Sequence, residues 1–162
     1  MIDKLSFRAL AARDQHALWD FLHLSLWDPP PAGLRPREVL QLPAVRIYAE
    51  NWGREGDIGV VAVVEGRDAG ACWMRVMPHG IGLASVDGRT PQLGIALRPE
   101  FQRQGIGRSL LTETLDRAWR AGHRQVALTV HPENPAIQCY ERCGFRKVEL
   151  RRGYHLMVAI SP

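Results

Sequence analysis

Apolar residues recur along this chain with two different periods, and the changes of period mark out its elements. Leu5-Ser6-Phe7-Arg8-Ala9 alternates with the period of two of a half-buried strand. From Arg13-Asp14-Gln15 the spacing lengthens, and Ala17, Leu18, Phe21, Leu22, Leu24 and Leu26 recur on one side of an amphipathic helix. Asp28-Pro29-Pro30-Pro31-Ala32-Gly33 breaks it. A second helix is predicted from Pro36 through Trp52, with Leu40, Leu42, Val45 and Tyr48 as inner positions and Pro43 as a kink or break. Residues 51–57 form a loop. Ile58 to Glu65 and Ala69 to Met77 then read as two strands joined by the turn Gly66-Arg67-Asp68. Alternation puts Trp73 and Arg75 on one face of the second strand. An arginine in so apolar a strand is paired, exposed at an edge, or aimed at a ligand carboxylate, and the sequence does not choose. The Gly-rich run from Pro78 to Thr90 reads equally as a substrate-side loop and as an exposed hairpin connection.

The second half continues with a strand from Leu93 to Leu97, ended by Pro99. A helix follows Gly105-Ile106-Gly107, with Leu110, Leu111, Leu115, Ala118 and Trp119 as its apolar stripe and Ala121-Gly122 as its end. Gln125 to Val130 is a buried strand. After His131-Pro132-Glu133-Asn134, a short helix starts at Pro135, a good first-turn residue, and stops at Gly144. Phe145 to Glu149 and Tyr154 to Ile160 are the last strands, with Arg151-Arg152-Gly153 turning between them. The order is β-α-α-β-β-β-α-β-α-β-β. No repeat, low-complexity tract or linker interrupts it, so residues 1–162 are expected to form one domain.

Composition narrows the class. The hydrophobic content of 46% and charged content of 23% are those of a soluble globular protein. No stretch approaches the roughly 18 apolar residues of a membrane span. Met1-Ile2-Asp3-Lys4-Leu5 has neither the charged start nor the apolar run of a secretory signal, so a cytoplasmic location is expected. Cys72, Cys139 and Cys143 form no metal-like cluster. Cys139 and Cys143, four apart on one predicted helix, are expected to face the core; a reactive pair beside a thiol cofactor is the alternative. His79, His123, His131 and His155 show no ligand spacing, so no metal is expected. The net charge of +4 is modest, but its placement is not even. Arg98, Arg103, Arg108, Arg117, Arg120 and Arg124 stand against only Glu100, Glu113 and Asp116, which favours an anionic ligand there. No recognition motif or basic-aromatic interleaving supports nucleic acid.

The candidate chemistry centres on residues 95–109. Strand, glycine-bearing turn and helix start together present unpaired N–H groups and the positive end of the helix dipole, an arrangement suited to phosphate. A Walker loop is excluded because Arg108 stands where a lysine is required. A dinucleotide fingerprint is weak, since position 110 is leucine and the next strand ends near Val130-His131 without an acid. Gln102-Arg103-Gln104-Gly105-Ile106-Gly107 fits Gln/Arg-x-x-Gly-x-Gly/Ala at every fixed position, and so resembles the acetyl-CoA pyrophosphate loop of the GNAT N-acetyltransferase superfamily. Asn134-Pro135-Ala136-Ile137-Gln138-Cys139-Tyr140-Glu141-Arg142-Cys143-Gly144-Phe145 resembles a second segment of that superfamily, Asn…Ala…Tyr-Glu-x-x-Gly-Phe, one helix and one strand later. The motifs lie within Leu93 to Phe145, about a third of the chain. The element order agrees with the GNAT fold over nearly all of it. That fold is an α/β (α+β) architecture, with a mixed, mostly antiparallel central sheet of about seven strands and about four flanking helices.

The resemblance implies an acetyl-CoA-dependent N-acetyltransferase in which a primary amine of a small molecule or peptide attacks the thioester directly. The pyrophosphate would lie on the backbone of Gln102, Arg103, Gln104, Gly105, Ile106, Gly107 and Arg108. The pantetheine arm would pair, like an added strand, with Ile95, Ala96 and Leu97, where the strand splays from its neighbour at a bulge. Asn134 would hydrogen-bond that arm or cap the helix. Tyr140 would protonate the leaving sulfur. A backbone N–H near Leu97 would polarise the carbonyl. His23, Trp27 and Tyr48 either face the acceptor or pack the core. Many relatives carry a glutamate at the start of this strand, whereas here the stretch is Thr90-Pro91-Gln92-Leu93. Asp87, His79, His131, Glu133 and a water chain are the alternatives for the base. A homodimer stays open. So does a non-catalytic acyl-CoA-binding module, against which the retained Tyr140 argues.

Overall fold

The computed structural model describes residues 4–162 and places seven strands in one sheet. They are β1 (Leu5–Ala9), β2 (Ile58–Val64), β3 (Arg67–Arg75), β4 (Gln92–Leu97), β5 (Gln125–Val130), β6 (Phe145–Arg151) and β7 (Tyr154–Ile160). The helices are α1 (Gln15–Ser25), α2 (Pro43–Arg46), α3 (Ile106–Arg120) and α4 (Ala136–Arg142). Strand order is β1-β2-β3-β4-β5-β7-β6, antiparallel throughout except for the parallel pair β4 and β5. This is the expected mixed sheet in the expected element order.

The central strands are apolar without alternation because both faces of the sheet are covered. Val60, Ala62, Cys72 and Met74 pack in one core with Leu110, Leu111, Leu115 and Ala118 of α3. The intervening Val61, Ala71 and Trp73 pack in a second core with Leu18, Phe21 and Leu22 of α1. Cys139 and Cys143 are only partly buried at the edge of the first core, and the Cys143 sulfur lies 3.8 Å from the Thr112 hydroxyl.

The second helix predicted over 36–52 breaks at Pro43, one of the two outcomes expected there, and little of it is α-helix. A 3-10 turn at Arg37–Gln41 ends at Leu42, whose φ of −71° and ψ of 128° are extended, and α2 covers only four residues. The cause is Pro43: its ring drives the preceding residue out of the helical region while itself serving as a first helical residue. Leu42, expected to point inward, is exposed. The β2–β3 turn also tightens to Glu65-Gly66, both at positive φ, so β3 starts two residues before Ala69.

Arg75 is buried and paired. Its guanidinium donates to both Asp57 oxygens, at 3.0 and 2.8 Å, and to the carbonyls of Ile47 and Glu50 at 3.0 and 2.8 Å. Its carbon lies 5.3 Å from the centre of the Trp52 ring. The arginine therefore ties the segment after α2 to the sheet.

The seam between β4 and β5 shapes the candidate site. β4 pairs with β3 over six positions, from Gly70–Leu97 to Arg75–Gln92, but with β5 only at Gln92–Ala127. The expected splay is present. The bulge is not in the β3–β4 pairing, which runs without a register shift; the shifts lie at Ala62/Val63 and Lys147/Glu149.

Candidate functional site

Beyond Gln92 the two strands part, and β4 keeps an edge with no strand beside it. The Arg98 N–H donates to the Ala69 carbonyl at 2.8 Å, so Arg98 turns toward β3. Strand alternation then turns the backbone groups of Ala96 to β3 as well, and those of Ile95 and Leu97 to the seam. At the base of the seam, the Ala127 N–H donates to Pro91 O at 3.0 Å, which fits the same parity. Of the three residues expected to pair with an extended ligand, Ile95 and Leu97 offer the edge, whereas Ala96 is matched with Ala71.

A cavity of about 1000 Å³ opens over the seam. Its walls come from the end of α1, the α2 segment, the loop of residues 79–85, β4, β5, the start of α4 and the β6–β7 turn. Ile95, Asn134 and Tyr140 all line it, as do Trp27 and Tyr48. His23 does not; its Nε2 lies 2.7 Å from the Arg35 carbonyl. A Cβ on Gly94 would sit 2.7 Å from the Trp73 ring, so the glycine lets the indole lie across β4, where it donates to the Tyr48 carbonyl at 3.1 Å.

Tyr140 projects from α4 with its ring edge-on to Phe145, centroids 6.0 Å apart. Burial pushes its phenol above the ordinary range, with Cys72 and Cys139 adding to the effect. It is therefore protonated at neutral pH and able to donate. The Asn134 side-chain oxygen accepts from the Ala136 N–H at 2.9 Å, capping the turn into α4.

Of the four side chains considered as bases, His79 and His131 line the cavity and Asp87 and Glu133 do not. Asp87 folds its own loop, its Oδ1 accepting from the N–H groups of Arg89 and Thr90 and from the Thr90 hydroxyl at 2.7 to 2.8 Å. Those bonds hold the carboxyl below its usual range, Arg89 first. His131 stands edge-on between Trp27 and Tyr154, at 5.8 Å from each, and its Nδ1 accepts from the Glu133 N–H at 3.1 Å.

Gln92 was not a candidate from sequence and proves central. It is 1% exposed, accepts from the Tyr48 hydroxyl at 2.8 Å and donates to the Ile81 carbonyl at 2.7 Å. A Cβ at Gly82 would lie 2.3 Å from its Oε1. One amide thus fastens the 78–90 loop and the α2 segment to the base of the seam, which makes that loop a wall of the cavity. The only sequence signal was a polar residue opening an apolar strand.

At the other end of β4, α3 begins. Gly105 caps it at φ 81°, Arg103 precedes it at φ 62°, and Gln102 to Gly105 and Arg108 are exposed. Gln102 and Gln104 bend their side chains back to the carbonyls of Leu97 and Glu100, at 3.1 and 3.2 Å. The first amides of α3 have no partner within the helix. A Cβ on Gly107 would meet only Leu97 Cδ1 at 3.5 Å, an ordinary contact. The fold therefore demands glycine at 105 but not at 107. An edge that can accept an extended amide chain, leading to a loop that can accept a pyrophosphate, fits the two ends of a CoA-type molecule.

Known proteins resemble this chain in sequence and fold. Residues 19–145 match the model of the acetyltransferase (GNAT) family. The chain is 40% identical over 62 residues to a ribosomal-protein-alanine N-acetyltransferase of Escherichia coli, covering 38% of this chain and 42% of that protein. It is 41% identical over 83 residues to the N-alpha-acetyltransferase RimI of Mycobacterium tuberculosis, or 46% of this chain and 51% of that one. The aligned stretches thus span about half or less of these relatives. The crystal structure of the PaiA N-acetyltransferase of Thermoplasma acidophilum with coenzyme A superposes with a TM-score of 0.69 at 18% identity, over 97% of this chain and 99% of that one.

Proposed function

The chain belongs to the GNAT acetyltransferase family, and from that premise we propose that residues 1–162 are a single acetyl-CoA-dependent N-acetyltransferase domain acting on a primary amine. The observation that carries the reading is that Tyr140 and the open edge of β4 at Ile95 face the same cavity of about 1000 Å³.

In this reading Ile95 and Leu97 pair with the pantetheine arm, and the amides of Gln102 to Arg108 hold the pyrophosphate. Ala96 supports that edge from its pairing with β3. Asn134 keeps its amide nitrogen for the arm while its oxygen caps the turn into α4. A seam-facing backbone N–H of this edge, near Ile95 and Leu97, polarises the thioester carbonyl as negative charge builds on oxygen. The acceptor nitrogen attacks the carbonyl carbon, the carbon–sulfur bond breaks, and Tyr140 gives its proton to the departing sulfur. The nitrogen loses its own proton to His131, His79 or water, since no carboxylate among the described residues lines the cavity.

The direct test is incubation with acetyl-CoA and a panel of amines. Thiol release is followed together with the mass gain of the acceptor. Acceptor-dependent release with one acetyl group added is expected. If acetyl-CoA binds yet no amine raises release above background, the chain is an acyl-CoA-binding module and the reading fails.

A further inference from the structure

The charge on the cavity wall is one-sided. Arg35, Arg151 and Arg152 line it, and among the described residues no aspartate or glutamate does. Arg35 commits its Nε and Nη2 to the two Asp28 oxygens at 2.9 and 3.3 Å and its Nη2 also to the Tyr154 hydroxyl at 2.7 Å, leaving Nη1 uncommitted among the described residues. Arg151 is anchored to the Leu83 carbonyl at 3.0 Å and lies 3.4 Å from Glu149. Asp28 and Glu149 offset these two arginines from outside the lining. Arg152 has no ion-pair or hydrogen-bond partner for its side chain among the described residues, and it is exposed.

Arg152 and Gly153 carry φ values of 50° and 84° at the tip of the β6–β7 hairpin. Two consecutive positive φ values are those of a turn that favours asparagine or glycine at its first position. Arginine is there against the preference of the turn, and its side chain reaches the cavity without a partner. Glu65-Gly66 makes the same turn between β2 and β3 away from the cavity, so what sets Arg152 apart is its unpaired side chain on the cavity wall.

We propose that the amine acceptor carries a carboxylate close to its amine, as in a short acidic peptide, and that Arg152, with the open edge of Arg35, reads that carboxylate. The proposal rests on the acetyl-transfer reading for the identity of the site and names the substrate class that the site takes. Polycationic amines would meet like charge with no carboxylate to receive them, and are disfavoured. The aromatic walls of Trp27, Tyr48 and Tyr154 accommodate the apolar part of such a peptide.

The test uses three dipeptides that share an N-terminal alanine: alanyl-glutamate, alanyl-glutaminamide and alanyl-lysinamide. Binding to the CoA-loaded protein is measured by calorimetry, and thiol release from acetyl-CoA is followed in parallel. Alanyl-glutamate is expected to bind about tenfold or more tighter than the neutral peptide, with the lysine peptide weakest and the preference shrinking as salt rises. Arg152→Asn, which suits the turn, should keep the melting temperature and CoA affinity but abolish most of the preference. Arg152→Lys should retain it. Equal affinity for the three peptides, no binding of any of them, or a preference that survives Arg152→Asn would overturn the proposal. Tight binding of alanyl-glutamate without thiol release would instead overturn acetyl transfer and leave the acidic site standing. Equal turnover of all three would do the reverse.

Discussion

At the scale of single residues, Tyr140 and Gln92 show opposite relations between sequence and structure. That Tyr140 would line the site was legible through the family resemblance of its segment, in which Asn134, Glu141, Gly144 and Phe145 stand at fixed spacing. Gln92 was not, because its partners Tyr48 and Ile81 come from elements that only the fold brings to it. Arg75 was undecided for the same reason: Asp57 and the Ile47 carbonyl lie 18 and 28 residues away. If Tyr140 protonates the leaving sulfur, Tyr140→Phe keeps the packing against Phe145 and removes only the proton. We expect kcat to fall about tenfold or more, roughly 1.4 kcal/mol of barrier, with acetyl-CoA affinity little changed. The pH profile follows from the direction of the phenol's shift. Burial raises it, so the acid form persists through the range in which the acceptor amine loses its proton. Activity should therefore climb from about pH 6 to 9 without a falling limb. A decline that begins below pH 9 while chemistry limits the rate would count against Tyr140 as the acid.

At the scale of elements, the start of α3 divides the labour between the two glycines there, Gly105 at its cap and Gly107 in its first turn. The six-residue pattern was readable in the sequence, but which glycine serves the fold and which serves a ligand was not. The backbone separates them. Gly105 sits at φ 81°, where a Cβ is penalised, whereas Gly107 has only an ordinary contact waiting for one. Gly105→Ala should cost about 1–2 kcal/mol of stability, seen as a lower midpoint in urea unfolding. Gly107→Glu should leave that midpoint nearly unchanged and remove acetyl-CoA binding in calorimetry, because a carboxylate would stand where the pyrophosphate is expected. Binding that survives Gly107→Glu would remove the loop from the site. The helix predicted to run through Trp52 ends instead at Arg46. Its apolar spacing was helical and the break at Pro43 was readable, but not that turns rather than a helix carry Ile47 and Tyr48 to the cavity wall.

For the molecule as a whole, the site is held in shape by contacts far from it. Arg75 and Asp57 are 2% and 4% exposed, and the arginine also grips the carbonyls of Ile47 and Glu50, on either side of Tyr48. Asp57→Asn would leave a buried guanidinium without its counter-charge, at a cost of about 3–5 kcal/mol in denaturant unfolding. A change below about 1 kcal/mol would mean that water reaches the pair. The order of the elements along the chain was legible, since apolar runs and glycine turns are local signals. The parting of β4 from β5 was not, because no residue in either strand marks the position at which pairing stops. It was expected only by family likeness.

That parting leaves a signature in time as well as in space. Along β4, successive amides face opposite ways: Gly94 and Ala96 toward a paired strand, Ile95 and Leu97 toward the seam. In deuterated buffer the ligand-free protein should exchange the amide hydrogens of Ile95 and Leu97 fast and those of Gly94 and Ala96 slowly, an odd–even pattern within a single strand. Coenzyme A should slow the two fast positions and leave the others as they were, so that a stepped ladder of rates becomes level. A strand already uniformly slow without ligand would mean that the seam is closed in solution.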